Sequence, residues 1–294
     1  MAQQSRTSGA GTSWAPADLL APVVAVAAIA VAAWAGRDLW FFSDDWNIYA
    51  YYHDGNLLDP FNGHLSLVPA GLYQLLFHTV GVGSYLPYRL CGLVGLGVMA
   101  FQVIRLTRSR LAGFRAEVGV AVATALVVGA ILWNPSGTMN LLFPFLMNFT
   151  IPIAALAAVW WHLDRERTRN DVAASVWLAV ALGTSGLGLM VLAAVGVELV
   201  VSRAPWRRWA ILSPGPILWA VWFVTHRDAN DISTDVGEIV SYSARMFLGA
   251  TTSLAAGWQP GGVVLAVAFV VFVGLAGWRW RSLDARSLGA LVAP

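Results

Sequence analysis

The sequence predicts an all-α fold: a polytopic transmembrane helical bundle of about eight spans, with one amphipathic helix lying on the outer surface. Three observations carry it. Of 294 residues, 58% are hydrophobic and only 12% charged. A soluble domain carries roughly a quarter charged residues, so this chain has too little polar surface to solvate a globule of its size. Apolar runs recur at about 20 residues, the length that crosses a hydrocarbon core of about 30 Å. The basic residues, all arginine, gather in short clusters between those runs. The same figures exclude other classes. A single cysteine, Cys91, gives no disulfide scaffold, no low-complexity tract points to disorder, and a net charge of +2 over separated clusters leaves no footprint for nucleic acid.

Taken in order, the candidate spans are 18–36, 84–104, 117–133, 148–163, 172–201, 209–226 and 259–278, and a further apolar run starts at Leu288. They divide the chain into a cytoplasmic tail, 1–17, and a single transmembrane domain, 18–294, whose first outer loop is 37–83 and whose last is 227–258. Ala33-Trp34-Ala35 before Gly36 resembles a signal-peptidase site, but the apolar core from Leu19 to Ala35 is long for a signal peptide and reads as an anchor. Arginines near span ends stay in the cytoplasm. On that rule the clusters at Arg105/Arg108/Arg110/Arg115, Arg165/Arg167/Arg169, Arg203/Arg207/Arg208 and Arg279/Arg281/Arg286 all face inward.

Parity then forces two features. Only one of the stretches 65–82 and 84–104 can cross. The first holds Pro69 and places Gln74 and His78 at i,i+4, so it is the surface helix. Between the Arg169 and Arg203 clusters the number of crossings is even. Residues 172–201 are therefore two short helices reversing at Gly183-Thr184-Ser185-Gly186, a break tolerated only where protein or a water-filled cavity covers it.

Polar chemistry concentrates in the outer loops. The first carries Ser43-Asp44-Asp45-Trp46, then Tyr49, His53, Asn62 and His64; the last carries Asp228, Asp231, Asp235, Glu238 and Arg245. A Ser cap with two acids in a first turn is ordinary capping and dipole chemistry. If 43–53 is helical, however, Asp45, Tyr49 and His53 share a face at i, i+4 and i+8, a trio suited to abstracting a proton from a sugar hydroxyl or to binding a metal. Asn62 and His64 add possible polar ligands; a lone loop histidine is more often simply solvated. His78 and His162 read as interfacial and Cys91 as a packing residue. Gly92–Gly97 imitates a glycine-rich loop, follows no strand, and reads as close helix packing. Arg37 and Arg227 abut aspartates at span ends, as anchors do. Arg89 lies about one turn inside its span, where an unpaired guanidinium is costly, and calls for an anion nearby.

Phe42-Ser43-Asp44-Asp45-Trp46 just after the first span, then Asn62-Gly63-His64, a surface helix and Leu86-Pro87-Tyr88-Arg89-Leu90, resembles the bacterial GT-C glycosyltransferases, polytopic enzymes that take sugars from polyprenyl-phosphate carriers. The likeness covers about residues 18–110 and the remainder in general architecture only. It implies that Asp44 or Asp45 is the catalytic carboxylate and contacts a divalent metal, Mg or Mn. The chain departs from the pattern in being short. Many members have more spans and an extra outer domain, so the resemblance implies an acceptor-binding part that is missing, supplied in trans, or encoded outside this sequence.

Compartment logic agrees. Nucleotide sugars are cytoplasmic, whereas the acids lie outside and the inner loops are too short for a nucleotide-binding domain. The expectation is an inverting membrane transferase of the cell envelope, multi-pass, with its site on the extracytoplasmic side. It takes a polyprenyl-phosphate sugar as donor and a cell-envelope glycan or lipid as acceptor. Asp45 or Asp44 is the base, Tyr49, His53, Asn62 and His64 support it, and Arg89 or Arg245 holds the departing phosphate. The competing readings are a lipid or small-solute transporter or flippase, and a non-catalytic membrane assembly subunit.

Overall fold

A computed structural model describes residues 16–42, 44–111, 114–132, 143–226, 235–254 and 258–279. The fold is all-α. Among the described residues there are twelve α-helices: α1 Pro16–Ala35, α2 Asp44–Tyr52, α3 Leu67–Thr79, α4 Leu86–Arg110, α5 Phe114–Leu132, α6 Met147–Leu163, α7 Thr168–Leu182, α8 Leu187–Val201, α9 Trp206–Leu212, α10 Pro214–Thr225, α11 Val236–Leu254 and α12 Gln259–Arg279. A 3₁₀ turn at Pro144–Leu146 leads into α6. By length and composition α4 is the one helix among the described residues fit to cross a membrane unaided; the apolar helices 21–35, 147–163, 187–201, 214–225 and 259–268 are shorter.

Small residues let these helices approach. Helix α6 packs on α4, α7 and α8, and α1 packs on α4 and α5. Ala25, Ala28 and Ala32 of α1 meet Leu96, Met99 and Ala100 of α4 and Ala154 of α6 in one core. The Gly92–Gly97 run does serve close packing. A Cβ on Gly95 would stand 3.1 Å from Thr150 Oγ1 of α6, and one on Gly92 would stand 3.0 Å from the Pro144 backbone. A second, wholly aliphatic core joins α6, α7 and α8 through Ala155, Val159, Ala174, Leu178, Val191 and Val195.

The paired helices expected across 172–201 are α7 and α8, broken at Gly183–Gly186. The break is covered by protein. Val68 N–H at the start of α3 donates to Gly183 O (2.8 Å), and Ser185 Oγ donates to Asn148 O (2.8 Å). Three sequence expectations are corrected. The stretch 209–226 is not one helix: Pro214, which lacks a backbone donor, starts a new helix after Ser213 and divides it into α9 and α10. Arg105, Arg108 and Arg110 sit on the last turns of α4 rather than in a loop. The segment expected as the last outer loop contains α11, whose apolar residues Val236, Val240 and Phe247 recur with helical period; α11 packs mainly on α12. Ser43 and residues 227–234, with Arg227, Asp228 and Asp231, lie outside the described residues, as do Arg281, Arg286 and the run from Leu288.

Candidate functional site

The acidic pair opens α2, where carboxylates complement the free N–H groups of a helix start. Neighbouring residues on a helix point about 100° apart, and the two acids part company. Asp45 is completely buried. Its Oδ1 accepts a very short hydrogen bond from the Tyr73 hydroxyl of α3. Its Oδ2 accepts from the Tyr85 hydroxyl at the head of α4 (2.7 Å) and from Phe42 N–H (3.1 Å). One carboxylate thus ties α2 to α3 and α4 inside a ring cluster of Phe41, Tyr52, Phe61, Phe77, Tyr85 and Tyr88. Burial pushes the Asp45 carboxyl above its ordinary range despite the three donated hydrogen bonds, and the charge of Asp44 adds to the rise. Burial first, and the Asp45 carboxylate second, push the Tyr73 phenol well above its ordinary range. Burial, then the hydrogen bond to Asp45, raises Tyr85 as well. Both tyrosines therefore stay protonated and donate.

Asp44 is half-exposed, and its Oδ1 accepts from Asn47 Nδ2 (3.3 Å). Exposed Phe42 and Trp46 flank it in sequence, and the Trp46 indole N–H holds the turn through Phe41 O (3.2 Å).

The trio expected from the i, i+4, i+8 spacing does not form around Asp45. Tyr49 and His53 do share a face, with ring centroids 4.8 Å apart, but the Tyr49 ring lies against Phe77 (5.0 Å), and His53 Nδ1 faces Asp54 Oδ2 (2.9 Å). The partners of Asp45 are residues the sequence did not single out. Tyr73 and Tyr85 lie 28 and 40 positions away, with no local signal linking them to it. The polar face of α3 has a definite task instead. Gln74 Nε2 donates to Tyr52 O (3.0 Å) and Gly55 O (3.2 Å), and His78 Nε2 stands 2.9 Å from His53 O. One turn apart, they satisfy carbonyls left open at the C-terminus of α2.

Asn62 and Gly63 both have positive φ (49° and 74°) and turn the chain so that Phe61 and His64 pair by their backbones. This exposes Asn62 and His64, and the His64 ring lies against Gly186 in the α7–α8 reversal, 2.9 Å from where its Cβ would stand.

Arg89 is buried, 5% exposed, and its Nη2 donates to Ala33 O (2.7 Å). That carbonyl belongs to the last turn of α1, so the anion expected beside Arg89 is partly replaced by the negative end of a helix dipole. Its Nε has no hydrogen-bond partner among the described residues. The first-loop carboxylate Asp45 is not that anion: it is occupied by Tyr73, Tyr85 and Phe42, and the Arg89 charge acts on Tyr85 instead. Arg245 is exposed on α11, the helix that packs mainly on α12, and is not brought to the α2–α3–α4 group.

Asp44 and Asp45 as arranged do not fit a metal site. Both oxygens of Asp45 face hydrogen-bond donors in a sealed interior, which leaves Asp44 as a single ligand, and no group of three or more His, Cys, Asp or Glu suited to a metal occurs among the described residues. No family model, curated protein or solved structure matches this chain.

Proposed function

We propose that this chain is a multi-pass membrane glycosyltransferase that moves a sugar, with inversion, from a polyprenyl-phosphate donor to an acceptor hydroxyl at the outer face. The observation that carries the reading is the divided acidic pair. Asp45 fixes the turn from within, while Asp44 presents a carboxylate beside the exposed rings of Phe42 and Trp46. Flat aromatic surface beside a carboxylate suits a sugar, whose C–H faces pack on rings while its hydroxyls need a base. Asp44 takes the proton of the acceptor hydroxyl, the freed oxygen attacks the anomeric carbon, and the bond to the donor phosphate breaks on the opposite side. Arg89, whose Nε has no hydrogen-bond partner among the described residues, is assigned to the departing phosphate. Asp45, Tyr73 and Tyr85 are positioning residues; Asn62 and His64, exposed beside the α7–α8 reversal, contact the acceptor.

The multi-pass topology assigned here has about eight spans, with short α7 and α8 as a covered pair. Complete burial of Asp45 favours one other reading, a non-catalytic assembly subunit in which the acidic pair is purely structural. The deciding experiment incubates purified protein with polyprenyl-phosphate sugars and follows release of polyprenyl phosphate. Loss of release in Asp44→Asn, with the protein still monodisperse, supports the transferase. Release that survives Asp44→Asn removes Asp44 as the base, and absence of release from the wild type with every donor tried favours the subunit.

A further inference from the structure

The opposite end of α4 carries a second arrangement that sugar transfer does not use. A cleft of about 660 Å³ runs between α1 and α4 and is closed at one end by arginines. Pro22, Ala25, Val26 and Ile29 of α1 form one wall, a helical stripe at i, i+3, i+4 and i+7; Gly97, Ala100, Phe101 and Ile104 of α4 form the other. Val26 and Phe101 are 63% and 47% exposed, so the cleft opens sideways. Arg105, Arg108, Ser109, Trp161 and Arg165 surround its polar end.

Among the described residues, two of these cations, Arg105 and Arg165, form no ion pair. The Arg105 and Arg165 guanidinium carbons lie 3.5 and 3.2 Å from the centroid of the same Trp161 ring, which brings two like charges together. The buried Nε of Arg105 has no hydrogen-bond partner among the described residues. Asp164, the neighbouring acid, instead forms a two-pronged pair with Arg110 (3.1 and 3.2 Å). Glu166 and Glu117 are both exposed, and among the described residues neither forms an ion pair with Arg105 or Arg165. The dimensions add a second argument. The twelve-residue rise from Gly97 to Ser109 is about 18 Å, close to the roughly 15 Å that one leaflet contributes to the hydrocarbon core.

We propose that this cleft is a binding site for one anionic phospholipid, with an acyl chain between α1 and α4 and its phosphate against Arg105 and Arg165. Arginine suits the headgroup because its planar fork meets phosphate oxygens in pairs and it stacks on an aromatic face without losing its donors. The site lies at the far end of α4 from Asp44 and does not depend on the glycosyl-transfer reading.

Native mass spectrometry of the full-length protein, released from micelles holding equal amounts of dioleoylphosphatidylglycerol and dioleoylphosphatidylcholine, tests this. The wild type is expected to retain phosphatidylglycerol preferentially. Each of Arg105→Gln and Arg165→Gln should reduce that preference about fivefold, the equivalent of about 1 kcal/mol per cation near a lipid surface. Gly97→Leu fills the cleft and leaves every charge in place; a Cβ there meets only Ile29 Cδ1, at 3.7 Å, so the variant is expected to fold. It should lose the retained lipid even though the arginines remain. Equal retention of the two lipids by the wild type overturns the proposal. So does an unchanged phosphatidylglycerol adduct in Gly97→Leu, which would reduce the site to surface charge, and so does displacement of the lipid by excess inorganic phosphate, which would reveal an anion site with no use for the chain.

Discussion

At the Leu86 end of α4, buried charge is met by directional hydrogen bonds: three donors converge on Asp45 and a helix-terminal carbonyl receives Arg89. At the Arg110 end, Arg105 and Arg165 lie on one tryptophan ring beside an open cleft. The first arrangement is closed around Asp45, since both carboxylate oxygens are met by donors within the protein, and leaves only the Arg89 Nε unmet among its described residues. The second is incomplete, since ring stacking lowers the cost of a cation without neutralising it. The difference separates a carboxylate enclosed to hold a shape from a pair of cations beside an open cleft, although the two lie at opposite ends of one helix.

Asp45→Ala tests the closed end most severely. It leaves two phenols and one backbone N–H buried without their acceptor, and the loss expected is on the order of 3 kcal/mol or more, since each stranded group costs about 1–3 kcal/mol. Thermal unfolding in detergent reads it, and a change within about 0.5 kcal/mol, the range of ordinary surface substitutions, would show that the network holds nothing together.

The same carboxylate should give a signature in pH. The folded protein holds the Asp45 proton more tightly than the unfolded chain does, because burial raises its pKa. In the window between the ordinary carboxylate range and the raised value, the folded state therefore binds more protons, and stability falls as pH rises through it and levels off above. This component should be absent from the stability profile of Asp45→Asn, measured by unfolding at a series of pH values.

Tyr85→Phe removes one donor and leaves Asp45 with two, so its expected cost is smaller, about 1.5–3 kcal/mol for a hydrogen bond to a charged group. If Tyr85→Phe costs as much as Asp45→Ala, Tyr85 acts through ring packing rather than through its hydroxyl. The smallest effect on stability is expected for Asp44→Asn, within about 0.5 kcal/mol because the residue is half-exposed. Its effect on sugar transfer should be total. A destabilisation matching that of Asp45→Ala would erase the distinction between the two acids.

Much of this architecture was legible residue by residue. The apolar period placed α1, α4, α5, α6 and α12 within a few residues of their ends, apart from the longer arginine-bearing end of α4. Gly183–Gly186 marked the reversal between α7 and α8, whereas Asn62, read only as a polar ligand, forms with Gly63 a turn whose positive φ values suit those two residue types. Helix α11 was missed although its period was present, because a polar loop rich in acids drew the reading toward chemistry. Pro214 was visible too, but a continuous apolar run hid its effect.

What the sequence determined alone is that two adjacent carboxylates follow the first apolar run, and that a helix over 43–53, if formed, would send them in different directions. Which one is buried could not be read from their neighbours, since Ser43, Trp46 and Asn47 would serve either outcome. The tertiary structure decided it by bringing Tyr73 and Tyr85 from 28 and 40 residues away onto Asp45. The physical reason is that burying a carboxylate costs several kcal/mol unless donors meet it, and those donors exist only where α3 and the head of α4 come together. Asp44 is left as the accessible acid because no such donors reach it.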